Sequence, residues 1–144
     1  MGTNGIYGFK YNKRYYIFFK GNDSYPRGLG RTIVQEIQSM TAEQFEELKE
    51  KIKAIDINGK YTNDYCGYTS LLHSVSNPHD YVFVVRATEP DTLYFSESYI
   101  YILDIDKNVF VVIWNGDKDT HKVIFDINNI PAQWEQLIET YDSN

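Results

Sequence analysis

Short apolar and aromatic stretches, separated by polar residues, occur in two groups along this chain. The first group is residues 6–11 and 14–20, which are rich in Tyr, Phe and Ile and are separated by Asn12-Lys13. Because Asn tolerates positive φ, this spacing predicts a tight β-hairpin. In the second half, similar runs predict further strands at residues 81–86, 99–103, 109–114 and 122–125.

Between the two groups, the apolar positions repeat with a helical period. Residues 31–40 place Ile33 and Ile37 on one face, which predicts a first helix. Thr41 and Gln44 have the spacing of a capping box, so a second, separate helix is expected over residues 41–55. This interpretation predicts that the helical structure is interrupted at Met40-Thr41.

A third helical pattern occupies the end of the chain. Pro131 is suited to the first turn of a helix. The pattern predicts that Trp134, Leu137, Ile138 and Tyr141 face inward.

Together these elements predict an α+β fold. We expect an antiparallel sheet of five to seven strands, with two consecutive helices after the first hairpin and a C-terminal helix. The chain has 144 residues, 42% of them hydrophobic, with 13 Tyr and 8 Phe. That length and apolar content predict a single domain over residues 1–144 with one core.

Composition restricts the classes of function. The net charge of −6 opposes the phosphate backbone, so general nucleic-acid binding is not expected. Cys66 is the only cysteine, which precludes a disulfide within the chain and favours a reducing compartment. No apolar run has the length of a membrane span and no secretory leader is visible, so we expect no membrane association.

Residues with catalytic or metal-binding chemistry do not form a complete set. Cys66 precedes a glycine and is followed by His73, which would suit a nucleophile with a base, but we expect a small, buried and unreactive side chain in a tyrosine-rich segment instead. A metal site would need Cys66, His73, His79 and His121, and no pair of these has the close spacing of zinc ligands. We therefore expect no catalytic residues, no metal and no cofactor.

An apparent calcium loop at residues 104–108 also fails on its spacing. Val109 stands where the loop needs a glycine, and Asn115 stands where it needs a bidentate glutamate. These residues are predicted to be a polar hairpin tip instead.

Residues 23–30 are the best candidate for a binding site. Pro26, Gly28 and Gly30 break any regular pattern, so an ordered loop is predicted, with both glycines at backbone angles that other residues avoid. Tyr25 and Leu29 are expected to pack the loop, with an exposed arginine beside it. The candidate binding residues are Asp23, Ser24, Tyr25, Arg27, Gly28, Gly30 and Arg31. The alternative is that this segment is only an elbow that directs the following helix.

Four parts of the sequence, which together span most of the chain, carry a family resemblance: the start, Met-Gly-Thr-Asn-Gly with Tyr7-Gly-Phe9, the Asp-Ser-Tyr-Pro-Arg-Gly-Leu-Gly run at residues 23–30, Tyr-Ile-Leu-Asp-Ile-Asp at residues 101–106, and Phe-Asp-Ile-Asn-Asn-Ile-Pro-x-x-Trp at residues 125–134. They resemble a family of small uncharacterised proteins of phages, giant DNA viruses and some fungi. Related members usually carry Arg at the position of Asn4, and Asn-His-x-Asp where this chain has Lys-Gly-Asn-Asp at residues 20–23. The resemblance implies a location in the host cytoplasm or within a virus particle. The family has no known activity that could be carried over to this chain.

The start also resembles that of class II glutamine amidotransferases, which use an N-terminal nucleophile. Asn4-Gly-Ile-Tyr-Gly-Phe9 matches their Cys-Gly-Ile-x-Gly pattern, but Asn4 stands in place of the cysteine. The resemblance implies a version of that fold without its nucleophile.

Three hypotheses about function follow. The first is a virus- or phage-type accessory protein that binds a protein partner or forms part of a virion, without enzymatic activity. The second is a small hydrolase or amidotransferase-like enzyme that uses residues 23–30 with Cys66 or Thr3. The third is an anion- or nucleotide-binding protein, with a small anionic ligand at Gly28–Arg31.

Overall fold

The computed structural model describes residues 5–20, 24–54, 71, 83–86, 99–115 and 120–142. Its strands form one six-stranded sheet with the order β3-β2-β1-β4-β5-β6. The bounds are β1 Gly5–Tyr11, β2 Arg14–Lys20, β3 Phe83–Arg86, β4 Tyr99–Asp104, β5 Val109–Asn115 and β6 Thr120–Asp126. Each predicted strand is present, and the fold is α+β as expected.

The sheet is mixed, so the prediction of an antiparallel sheet is wrong in one pairing. β1 and β4 run parallel, with Gly5 beside Tyr99 and Lys10 beside Asp104. The other neighbouring pairs are antiparallel. Two antiparallel groups of three strands therefore meet at the β1–β4 junction. The long connection from β1 to β4 permits this direction, which hydrophobic periodicity does not report.

The first hairpin forms as predicted. Asn12 and Lys13 have φ values of 51° and 62°, the left-handed angles that a type I′ turn requires. Both of their amides donate to the Asp106 carboxylate, at 2.9 and 3.4 Å. Since Asp106 lies in the turn between β4 and β5, its carboxylate ties the tips of the two hairpins together.

The segment that resembled a calcium loop is a hairpin tip, as predicted. It joins β4 to β5, and the Asp104 carboxylate accepts a hydrogen bond from the Lys107 amide at 3.1 Å. Asn108 completes the turn with φ at 56°. Within the described ranges, no group of three or more His, Cys, Asp or Glu side chains is placed to hold a metal ion.

Two separate helices follow the first hairpin, α1 over Arg31–Ser39 and α2 over Ala42–Lys53. Met40 is extended between them, with φ −73° and ψ 130°. The Gln44 amide donates to Thr41 Oγ1 at 3.1 Å and the Thr41 amide donates to Gln44 Oε1 at 2.9 Å, which confirms the capping box.

The last helix, α3, spans Trp134–Asp142 and begins later than predicted. Pro131 lies before it, in a turn closed by the Trp134 amide donating to the Pro131 carbonyl at 3.1 Å. Trp134 and Ile138 are buried, but Leu137 is 50% exposed, so its predicted inward orientation is wrong. Trp134 and Ile138 are one helical turn apart and share a face, whereas Leu137 points to one side of that face.

Side chains from alternate strand positions fill two cores, one on each face of the sheet. On one face, Tyr7, Phe9 and Tyr101 pack with buried residues of α1, α2 and α3. The opposite face buries a smaller cluster, which includes Ile6, Ile17 and Ile102. The large aromatic side chains of the helix-covered face support residues 24–31. In the part of the chain that the structure describes, no helix is long and apolar enough to cross a membrane.

Candidate functional site

The predicted binding segment is helical from its proline onward, which corrects the prediction of a loop. Tyr25 is extended, and Pro26–Gly30 form a π-helical turn that continues directly into α1. The Tyr25 carbonyl accepts hydrogen bonds from the amides of Gly28 and Gly30, at 2.9 and 3.3 Å. Proline suits the first position of a helix because its φ is already helical and it has no amide proton to satisfy.

Gly30 is required for space and not for an unusual backbone angle. No glycine that the structure describes has positive φ, and Gly30 has φ −58° and ψ −47°, so the predicted angles are wrong. A Cβ atom on Gly30 would lie 2.6 Å from Cη2 of Trp134 and 2.8 Å from Cε1 of Tyr101. Both distances are shorter than real Cβ contacts, so the turn sits directly on these two rings.

Tyr101 also holds the start of the segment. Its hydroxyl donates to the Ser24 carbonyl at 2.7 Å, in a buried environment where Ser24 has no exposed surface. Burial raises the pKa of the Tyr101 hydroxyl well above its ordinary value, so this group stays protonated and remains a donor. The segment is therefore anchored to β4 at Ser24 and again at Gly30.

A row of aromatic rings continues from these anchors to the surface. Tyr101 stacks between Tyr99 and Phe110, with ring centroids 6.3 and 6.4 Å away. Phe110 meets Trp134 edge to face at 5.9 Å, and Tyr25 lies 6.0 Å from Tyr99 at the outer end. Of the two residues predicted to pack the segment, Leu29 is buried but Tyr25 remains 50% exposed.

Arg27 and Arg31 are both exposed, which confirms the expectation that at least one arginine beside the segment would be. Arg31 forms a bidentate pair with Glu135, with Nε 2.7 Å from Oε1 and Nη2 2.6 Å from Oε2. This pair joins the first residue of α1 to the second residue of α3. The hydrogen bond and charge of Arg31, with a smaller contribution from Arg27, lower the pKa of the Glu135 carboxyl.

We predict that the Arg31–Glu135 pair stabilises the fold only where Glu135 is ionised. The folded-state pKa of Glu135 is below its unfolded value, so this contribution is full above the unfolded pKa and disappears as pH falls through the folded one. Because Arg31 is half-exposed, Arg31→Ala should cost only about 0.2–1 kcal/mol at neutral pH. Urea unfolding of the wild type and of Arg31→Ala, at pH 7 and near pH 3, measures the difference in their free energies of unfolding. A difference that is the same at both pH values would contradict a stabilising ion pair with Glu135. Arg31→Lys, which keeps the charge without the planar fork, is the matched control.

The structure brings Ser24, Tyr25, Arg27, Gly28, Gly30 and Arg31 together in one continuous segment. Asp23 lies outside the described residues, as do Thr3, Asn4, Cys66, His73 and His79. Sequence patterns did not identify the residues that support the segment, namely Tyr99, Tyr101, Trp134 and Glu135. One signal could have found two of them: Tyr99 and Tyr101 are two positions apart on a predicted strand, so their rings must lie on the same face of the sheet.

Comparisons with known proteins do not assign the chain to a family. No family model, no curated protein and no solved structure matches it. The resemblances to a phage and viral family and to the amidotransferase start therefore stay predictions.

Proposed function

We propose that this protein acts without catalysis, by binding a protein partner that docks on Tyr25 and Arg27. The observation that carries the proposal is the contrast in exposure along the segment. Tyr25 is 50% exposed, whereas Ser24 before it and Pro26 after it are buried, and Leu29, four residues further on, is 2% exposed. A large aromatic side chain is thus held at the surface by a backbone that is fixed on both sides.

This arrangement has the chemistry of an interface anchor. Tyrosine and arginine are the residue types that most often dominate binding energy, because each offers a large contact area together with polar groups. The Tyr25 ring contacts the Tyr99 ring, and the Tyr25 carbonyl is held by hydrogen bonds from the following turn. The backbone at Tyr25 is therefore already ordered before a partner binds, which lowers the entropic cost of binding. Arg27 is exposed on the same turn and adds a cationic contact.

Two features favour a protein partner over a small anion at this segment. The amides of Gly28, Gly30 and Arg31 already donate to backbone carbonyls within the turn. The Arg31 guanidinium is already paired with the Glu135 carboxylate. An anion would have to displace both sets of bonds, whereas a protein surface can contact the exposed face of Tyr25 without displacing either set.

We further propose that the partner belongs to a phage or viral setting, in the host cell or within the particle. The support is the resemblance of the chain start and of residues 23–30 to the family described above. The hydrolase or amidotransferase-like alternative would need groups at Thr3 or Cys66, which lie outside the described residues.

The test compares capture of partners by the wild-type chain, Tyr25→Ala and Arg27→Ala, followed by titration of the purified partner. Each variant should weaken binding by roughly thirtyfold or more, the effect of losing about 2 kcal/mol at an interface anchor. The melting temperature should hardly change, because both side chains are exposed. Gln38→Ala, an exposed change on α1, is the control. Partners bound equally by all four proteins would refute the assignment of Tyr25 and Arg27.

A further inference from the structure

The β6 strand ends the described sheet, and its backbone is oriented to accept another strand. It pairs with β5 on one side, with Ile124 opposite Val111 and Lys122 opposite Ile113. The Ile127 amide donates to the Asn108 carbonyl at 3.2 Å, which continues this ladder by one residue. Because backbone groups alternate in direction along an antiparallel strand, those of Lys122 and Ile124 point away from β5.

Side chains on this edge form a short symmetric pattern. Ile124 is 56% exposed and is the most exposed of the large apolar side chains in the described chain. Lys122 and Asp126 lie two residues to either side of it, are also exposed, and share its face of the sheet. Charged side chains on an edge strand commonly prevent it from pairing with another chain. Here the two charges have opposite signs and lie at equal distances from Ile124, so they can attract those of a second, antiparallel copy.

We infer that β6 pairs edge to edge with β6 of a second copy of this chain, antiparallel about a two-fold axis at Ile124. In that register Ile124 meets Ile124 of the second copy, and Lys122 of each copy meets Asp126 of the other. Side chains directly opposite each other on neighbouring strands are close enough that both the apolar and the charged contacts would stabilise the dimer. A two-fold axis also makes the surface self-complementary, as dimers of identical chains require.

Neighbouring registers are less favourable. An axis at Lys122 or at Asp126 places like charges opposite each other, and an axis at Val123 or Phe125 places Ile124 opposite a charge. On the other face of the sheet, the chosen register puts Val123 of one copy opposite Phe125 of the next. Both residues pack with the helix-covered core, so that core continues across the junction.

Charge reversal tests this pairing by sedimentation equilibrium of the full chain over a range of concentrations. The wild-type chain should dimerise. Lys122→Asp and Asp126→Lys should each weaken the dimer by about tenfold or more, because each leaves charges of a single sign on the edge. An equimolar mixture of the two variants should form a heterodimer, since opposite charges then meet between the copies. The doubly exchanged Lys122→Asp/Asp126→Lys chain should dimerise like the wild type.

Controls separate this effect from loss of folding. The Asp126 carboxylate also accepts the Asn128 amide at 2.8 Å, so Lys122→Asp is the cleaner single change. Ile124→Lys, which puts like charges on the axis, should abolish the dimer without touching that bond. Lys107→Asp makes the same charge change on an exposed lysine of the β4–β5 turn and should leave the dimer intact. A monomeric wild type, dimeric single variants, or a mixture that stays monomeric would each overturn the inference.

Discussion

Replacing Trp134 with alanine should lower the free energy of unfolding by about 3–5 kcal/mol, the cost of removing a large buried aromatic side chain. Trp134 is 3% exposed, meets Phe110 edge to face, and lies against Gly30. Its removal leaves a cavity at the point where α3, the sheet and the Tyr25–Arg31 segment meet. Native domains are stable by only about 5–15 kcal/mol, so this one change removes a large share.

Urea unfolding of the wild type and the variant measures this loss. For a chain of this length we expect the melting temperature to fall by roughly 10 °C, at about 3 °C per kcal/mol. Leu137→Ala is the matched control, because Leu137 is on the same helix, is also apolar, and is half-exposed. It should cost less than about 1 kcal/mol. If both variants lost the same stability, Trp134 would have no special role in joining these elements.

Gly30→Ala should destabilise the protein by about 1–3 kcal/mol, although alanine is the better helix former. Gly30 has helical angles, so the backbone alone would gain about 1 kcal/mol from alanine. The new Cβ atom would meet ring atoms of Trp134 at 2.6 Å and of Tyr101 at 2.8 Å. Neither ring has room to move, because both are buried and the Tyr101 hydroxyl is bonded to the Ser24 carbonyl. The steric cost therefore exceeds the backbone gain.

A double-mutant cycle identifies the source of that cost. Trp134→Phe removes the Cη2 atom that the new Cβ atom would meet, while keeping an aromatic side chain at the position. Gly30→Ala should then cost less in the Trp134→Phe background than in the wild type, by at least about 0.5 kcal/mol of coupling but by less than its full cost. Purely additive effects would show that the clash with Trp134 does not set the cost. Some penalty should remain because the Tyr101 contact is unchanged.

Several elements were predictable because their determinants are adjacent in sequence. Asn12-Lys13 adopts left-handed angles in a two-residue turn, as an asparagine between two aromatic runs indicates. Thr41 and Gln44 are three residues apart and form both bonds of the capping box. Such signals are local, so they act in the same way whatever the rest of the chain does.

The candidate segment shows where such local signals are insufficient. The Pro-x-Gly-x-Gly pattern of residues 26–30 predicted a loop with unusual angles, but the chain there is a helical turn. Pro26 at the first position and continuity with α1 both favour the helical turn. Position 30 is glycine because the rings of Trp134 and Tyr101 leave no room for a Cβ atom there. Tyr25 was predicted to pack inward, yet it remains half-exposed with its ring beside Tyr99, whereas Leu29 is buried in the core.

Local sequence patterns were sufficient to predict the strands, the break between α1 and α2, the turns at Asn12 and Asn108, and the α+β class. Each depends on hydrophobic period or on hydrogen bonds between residues a few positions apart. Three features became visible only in the folded chain: the parallel pairing of β1 with β4, the contact of Gly30 with Trp134, and the pairing of Arg31 with Glu135, 104 positions away. These contacts join residues that are distant in sequence, so no local pattern reports them. They form only when the sheet and α3 bring those residues together.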